Sequence, residues 1–264
     1  MKIVAVIPAH LASVRFPRKI LFPIHGLPMI EHVRRRALLC PAIAEVHVAT
    51  CDDEIADSVQ EYGGRVIRTS DKHTNGTNRV AEAVAGMDCT HVILLQGDEP
   101  LLSPDHVGRM ISAMHAGGEA VAWNVTGPIE DASELDRHSF VKCVVAANGR
   151  IVFCFRRSPC FSKYEVQRSF TRKILGIIGY QKDFLTQIVR MPASHIEAAE
   201  SIEQMRIVEN GHFLQSVPVS ESLPSVNEPH EMKYVLDQLE RDQRQKSLLD
   251  QILASNVLAP GLRI

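Results

Sequence analysis

His91-Val92-Ile93-Leu94-Leu95-Gln96-Gly97-Asp98-Glu99-Pro100 is an apolar run that empties into a small acidic turn. His91–Leu95 reads as a short strand covered on both faces, the pattern of a buried strand in a parallel sheet. A carboxylate-bearing loop at the carboxyl end of such a strand lies where open α/β sheets bind their ligands. The same design recurs upstream. Lys2–Ile7 is a β-rich run that stops at Pro8, and a polar, basic loop follows from Ala9 to Lys19. Met29–Leu39 has helical spacing, and Glu45–Thr50 is a second strand. Asp52 or Asp53 then caps a helix running through Tyr62 to Gly63-Gly64. Arg65–Arg68 is a third short strand, and Thr77–Ala85 a helix. Alternation of this kind predicts βαβ units with right-handed crossovers and a mostly parallel sheet.

Beyond Leu102 the rhythm changes. Phe140–Ala146 and Arg150–Arg156 flank Ala147-Asn148-Gly149, whose Asn-Gly step signals a hairpin. An antiparallel subregion inserted at about 124–192 into one domain of 1–264 is the expectation. Phe161–Lys173 is polar and basic and reads as a mobile loop. Glu197–Glu209 reads as one helix stopped by Asn210-Gly211, and Glu231 to about Leu253 as a long terminal helix.

With 264 residues, 45% of them hydrophobic and 23% charged, the chain can bury a substantial core. A formal charge of -2 gives no electrostatic case for a nucleic-acid partner. The run Arg34-Arg35-Arg36 reads as a solvated helix face with one buried stem. None of the six cysteines forms a CxxC pair or sits at zinc spacing from a histidine, so buried free thiols in a reducing compartment are expected. MKIVAVIPAH is too short an apolar run for a signal peptide, and no segment approaches the roughly 20 apolar residues of a membrane span. A cytoplasmic protein without a membrane partner is the expectation.

Four segments carry residues suited to chemistry. In Pro8–Lys19, small residues admit a ligand to the backbone, and Arg15, Arg18 and Lys19 suit phosphate oxygens. The GxxxxGK[ST] pattern is absent, and an exposed basic loop without a ligand fits the spacing equally well. In Gln96–Pro100, Asp98 suits a magnesium ion that also grips a triphosphate, and Gln96 offers a donor and an acceptor for a base edge. A helix cap at Asp98 is the alternative, weakened because Ser103 before Pro104 already supplies one. In Lys72–Arg79, backbone N–H groups and hydroxyls suit a ribose or base, although a plain N-cap at Thr77 explains the segment as well. In Ile196–Arg206, Glu197, Glu200 and Gln204 share one helix face, which a solvated surface also explains.

Taken together these segments resemble the 3-deoxy-manno-octulosonate (Kdo) cytidylyltransferases. The resemblance runs in order from Ile3 to about Val235. It rests on IPA-x-x-AS-x-R-x-P-x-K at Ile7–Lys19, G-x-PMI-x-HV at Gly26–Val33, NGTNR at Asn75–Arg79 and QGDEP at Gln96–Pro100. VK at Val141–Lys142, GIIGY at Gly176–Tyr180 and E-x-x-E-x-I-EQ-M-R at Glu197–Arg206 complete it. The resemblance implies a mostly parallel α/β sheet of the nucleotide-diphospho-sugar transferase type. It implies transfer of CMP from CTP to a 3-deoxy sugar acid with release of pyrophosphate, for lipopolysaccharide synthesis, by a magnesium-dependent homodimer.

By the same resemblance the nucleotide site comprises Pro8, Ala9, His10, Ser13, Arg15, Arg18 and Lys19 from the first loop. Asn75, Gly76, Thr77 and Arg79, then Gln96 and Gly97, come from the later ones. Lys19, Arg15 and Asp98 carry the catalytic roles, with Asp98 and Asn227 on magnesium. Gln96, Glu99, Pro100, Arg156, Gly179, Tyr180, Glu197, Glu200 and Gln204 are implied for the acceptor pocket. This sequence departs from the family pattern at four places. His10 replaces an arginine, Arg18 a glycine, Asn227 an aspartate in a V-D-x-P-E-D stretch, and Ile174 a histidine of the sugar pocket. The departures leave room for another anionic acceptor, such as amino-Kdo, another nonulosonic acid or a phosphonate, or for a non-catalytic nucleotide-binding relative.

Overall fold

Six of the seven residues of the Ile3–Ala9 strand are buried, and its neighbours on either side are strands of the same character. The computed structural model describes residues 1–254, so the end of the expected 1–264 domain lies outside the described residues. Among the described residues the chain forms two compact units, one of residues 2–107 with 223–254, and a second over Gly108–Ser222.

In the first unit, Ile3–Ala9 pairs in parallel with His91–Leu95 on one side and Glu45–Thr50 on the other, and Arg65–Arg68 pairs in parallel beyond Glu45–Thr50. Parallel pairing sets the carboxyl ends of these strands along one edge. The loops after Ala9 and after Leu95 therefore share that edge. The first strand runs on through Pro8, which pairs with Ala49, instead of stopping before it.

The Met29–Leu38 helix differs most from its sequence reading. Arg34, Arg35 and Arg36 are all buried, not spread over a solvated face. The fully buried Glu31 carboxylate accepts two hydrogen bonds from Arg34 at 2.7 Å and one from Arg35 at 3.2 Å. Arg36 donates to Gln245 Oε1 at 2.7 Å. The terminal segment that covers this helix is itself two helices, Met232–Arg241 and Gln243–Ala254. The single long helix is broken at Asp242, whose backbone is extended and whose Oδ1 accepts the N–H groups of Arg244 and Gln245 at 2.8 and 3.0 Å. Ile24, Leu27 and Met29 pack with Val235, Leu249 and Ile252 in one apolar cluster.

Two helix caps differ in detail from the expectation. Asp52 is the N-cap of Asp53–Glu61, yet its side chain makes no cap bond and accepts Leu11 N–H at 2.9 Å instead. The Gly76–Val84 helix is capped by Asn75, which accepts Asn78 N–H at 2.8 Å, rather than by Thr77.

In the second unit, Ala122–Gly127 pairs in parallel with Leu214–Pro218 and antiparallel with Thr171–Gln181. Thr171–Gln181 pairs antiparallel with Lys142–Val145, which forms the expected hairpin with Ile151–Phe155 around Gly149 at φ +81°. The expected 124–192 subregion falls inside this unit. Phe161–Lys173 is not a plain loop. It contains a helical turn, Tyr164–Gln167, and the start of the Thr171–Gln181 strand. Two of its polar side chains are tied to neighbouring segments: Gln167 accepts from Ser158 Oγ at 2.6 Å, and Lys173 meets Glu134 at 2.7 Å. The expected 197–209 helix is two pieces, His195–Glu200 and Gln204–Glu209, separated by residues 201–203, of which Ser201 is in the left-handed region at φ +54°.

Four cysteines are buried, two are partly buried, and all six are free. Burial pushes the Cys143 thiol up to about 12, which leaves it unreactive. No helix among the described residues is long and apolar enough to cross a membrane.

Candidate functional site

A cavity of about 410 Å³ opens at the carboxyl edge of the parallel strands. The first loop lends it Pro8, Ala9, His10, Ser13, Arg15 and Lys19. The Asn75 loop lends Asn75, Gly76 and Arg79, the strand-end turn lends Gln96, Gly97 and Asp98, and the 226–228 segment lends Asn227. Residues far apart in sequence thus meet in one place.

The contacts inside the cavity are specific. Lys19 Nζ lies 2.6 Å from Asp98 Oδ2 and 3.0 Å from the carbonyl of Val226. Val226 N–H donates to the Asp98 carbonyl at 2.9 Å, so the acidic turn and the 226–228 segment are held to each other. Arg15 Nη2 approaches Asn227 Oδ1 at 3.4 Å. Gly97 is needed for close approach, because a Cβ there would meet Ile20 Cδ1 at 3.1 Å and Ile30 Cδ1 at 3.2 Å.

Arg15, Lys19 and Arg79 against Asp98 leave the cavity positive, as an anionic ligand requires. His10 adds no fixed charge. Burial first, then the Arg79 cation, pulls its imidazole below the usual value, and Lys19 adds to this while Asp52 and Asp98 oppose it. Arg79 is almost fully buried and is anchored through Nη1 to Thr69 Oγ1 at 2.6 Å and the Ser70 carbonyl at 3.2 Å.

Among the described residues there is no group of three or more His, Cys, Asp or Glu side chains that could hold a metal ion. The donor set nevertheless suits magnesium in part. Asp98 and Asn227 present hard oxygen donors in the same cavity as the phosphate-type cations, and this ion takes one or two carboxylates alongside phosphate oxygens and water.

Some expected residues lie elsewhere. Arg18 is absent from the cavity lining: its exposed guanidinium pairs with Glu54, because a left-handed backbone at φ 60° turns it away as Lys19 turns in. Thr77 is buried in the first turn of its helix, and Glu99 and Pro100 are likewise outside the lining. The candidate segments Pro8–Lys19 and Lys72–Arg79 contain Val14, His73 and Thr74, but the site residues implied by the resemblance omit these three and Ile20, all of which line the cavity.

The remaining residues implied for the acceptor belong to the second unit, where most have protein partners. Arg156 donates to the carbonyls of Glu200 at 2.8 Å, His138 at 3.0 Å and Ser201 at 3.2 Å. Both oxygens of Glu197 accept from Arg206, at 2.7 and 2.5 Å. Gln204 Nε2 donates to Asn124 Oδ1 at 3.0 Å. Gly179 is a packing position, since a Cβ there would lie 2.1 Å from Met114 Cε. Tyr180 is buried at 2% exposure, while Glu200 remains partly exposed.

Comparison with known proteins adds an independent line. Residues 4–220 match a family described as cytidylyltransferase. A 3-deoxy-manno-octulosonate cytidylyltransferase from Geobacter metallireducens is 34% identical over 92% of this chain and 100% of its own length. An 8-amino-3,8-dideoxy-manno-octulosonate cytidylyltransferase from Shewanella frigidimarina is 35% identical over 88% of this chain and 96% of its own. The solved structure of a CMP:2-keto-3-deoxy-manno-octonic acid synthetase complexed with CTP superposes with a TM-score of 0.84 at 34% identity, covering 91% of this chain and 100% of that one.

Proposed function

Because the chain belongs to the cytidylyltransferase family and is a nucleotidyltransferase of the CMP-sugar synthetase type, we propose that it transfers CMP from CTP to the anomeric hydroxyl of a 3-deoxy sugar acid, Kdo or a close relative. The observation that carries this reading is the Lys19–Asp98 contact at 2.6 Å inside the cavity that also holds Arg15 and Gln96. Cations for a triphosphate and a carboxylate for its metal have to stand side by side for this chemistry, and here they touch.

In the transfer, the acceptor hydroxyl oxygen forms a bond to the α-phosphorus of CTP. The bond from that phosphorus to the oxygen bridging to the β-phosphorus breaks. Pyrophosphate leaves with the electron pair, and the hydroxyl proton passes to solvent. Arg15 and Lys19 offset the charge that grows on the departing phosphates, and Gln96 reads a base edge with its paired donor and acceptor. Asp98 with Asn227 would hold magnesium, which supplies further charge neutralisation at the phosphates. Rate enhancement then comes from positioning and fixed electrostatics.

Relatives named for Kdo and for its 8-amino form are equally similar to this chain, so identity does not choose between them. Ile174 favours an altered acceptor contact. A homodimer through the second unit belongs to the same reading. The exposed Phe161 and Val166 of that unit would be covered in it, and sedimentation would detect it.

The test is pyrophosphate release with magnesium, using CTP, UTP, GTP and ATP against Kdo, 8-amino-Kdo, sialic acids and phosphonates. CTP with one 3-deoxy sugar acid should give turnover. If CTP were no better than UTP, the cytidylyl assignment would fail. CTP binding without turnover on any acceptor would point to a non-catalytic relative.

A further inference from the structure

Glu82 lies outside the cavity lining but touches a side chain within it. It sits in the last turn of the Gly76–Val84 helix. Its two carboxylate oxygens accept Ser70 N–H at 3.2 and 3.1 Å, and the carboxylate also contacts Nε2 of His73. The same helix grips this segment a second time through Arg79, which donates to Thr69 Oγ1 and the Ser70 carbonyl. His73 lines the cavity beside Thr74 and Asn75. Its ring is therefore oriented by a carboxylate on a segment fastened twice to one helix.

That contact sets the chemistry of the other ring nitrogen. A carboxylate can only accept, so the neutral imidazole carries its proton on Nε2 and presents Nδ1 as a lone-pair acceptor. The bond to His73 is the largest effect holding the Glu82 carboxyl below its ordinary range, which keeps it ionised at neutral pH. A lone pair backed by a carboxylate repels phosphate oxygens and attracts an N–H or O–H. Phosphates have their own partners in Arg15 and Lys19, which are joined to Asn227 and Asp98.

We propose that His73 accepts a hydrogen bond from the nucleoside half of the bound nucleotide, either a base amine or a ribose hydroxyl, and that Glu82 is the positioning residue fixing the tautomer. This rests on the cavity being the nucleotide site and assigns His73 and Glu82 a part in its specificity.

Calorimetric binding of CTP, UTP and 2′-deoxy-CTP to the full chain with magnesium tests it. Expected for His73→Ala is about a tenfold loss of CTP affinity, the size of one buried hydrogen bond. One preference should vanish with it: CTP over UTP if the donor is the base amine, or CTP over 2′-deoxy-CTP if it is the ribose hydroxyl. His73→Gln, which keeps an acceptor, should recover part of the loss and serves if the alanine variant misfolds. Glu82→Gln should weaken the same preference and convert the His73 nitrogen resonances from the Nε2–H tautomer to a mixture, a signature that loss of packing alone does not produce. The proposal is overturned if His73→Ala leaves CTP within twofold of wild type, or weakens all three nucleotides equally. Failure of the wild type to bind CTP would instead remove the cavity assignment beneath it.

Discussion

At position 227 an amide faces the cavity. Asn227 Oδ1 lies 3.4 Å from Arg15, and its backbone N–H is held by the Glu231 carboxylate at 2.6 Å. The oxygen is well placed for a cation but brings no charge, whereas magnesium is held chiefly by carboxylates. Asn227→Asp should therefore raise magnesium affinity by about tenfold, or ~1.4 kcal/mol, with a matching drop in the magnesium needed for half-maximal pyrophosphate release. Manganese binding followed by electron paramagnetic resonance gives a readout independent of turnover. If neither changes, residue 227 is not a metal ligand. Arg18 shows a different logic. At φ 60° a non-glycine residue costs about 1 kcal/mol, yet the turn that follows carries Lys19 to Asp98. Its charge goes to Glu54 rather than to the cavity. A cation in a basic loop was readable from sequence. The direction it points was set by one backbone angle.

The Met29–Leu38 helix carries five buried polar residues, Glu31, His32, Arg34, Arg35 and Arg36. His32 is fully buried, with Nε2 2.8 Å from the Ile24 carbonyl, and burial pulls its pKa from 6.5 to about 4. The folded protein holds His32 neutral, while the unfolded chain takes up a proton below pH 6.5. The stability it contributes is therefore present above 6.5 and lost as the pH falls towards 4, an amount of about 3 kcal/mol. Urea unfolding at pH 7 and pH 4.5 should show this decline, and His32→Gln, which keeps a donor but does not titrate, should show less of it. Equal declines in the two proteins would exclude His32 as the cause. The helices that sequence periodicity ran together are divided by short breaks, 201–203 with Ser201 in a left-handed backbone and Asp242 with an extended one. An apolar repeat continues across such a break because periodicity records which face is buried and carries no information on one dihedral angle.

For the molecule as a whole, a ligand that binds only the folded state adds to its stability. CTP at about a hundred times its dissociation constant should add ~2.7 kcal/mol, raising the thermal midpoint by roughly 5 °C or more for a chain of this size. UTP should do less, and chelating magnesium should cut the CTP effect. A midpoint indifferent to CTP would mean that the cavity does not take it. Much of the architecture behind this expectation was legible beforehand. The apolar runs Ile3–Ala9 and His91–Leu95 carry their strand character in their composition, and the Asn148-Gly149 hairpin announces itself by its turn residues. The burial of the charged run at 34–36 was not legible: Glu31 lies one turn away on the same helix, but the cover that buries the run and the partner Gln245, 209 residues after Arg36, come from a terminal helix. Nor was the state of Arg156 or Glu197, whose polar groups look free in a sequence and prove to be tied to carbonyls and to Arg206.

The sequence by itself determined the parallel α/β plan and the residue types at the mouth of its first and fourth strands, since hydrophobic periodicity and loop chemistry are local properties. Only the tertiary structure decided that Lys19 meets Asp98, that Asn227 joins them from 208 residues after Lys19, and that Arg18 does not. Contacts at such separation depend on the paths of several elements at once, and no short stretch of chain encodes those paths.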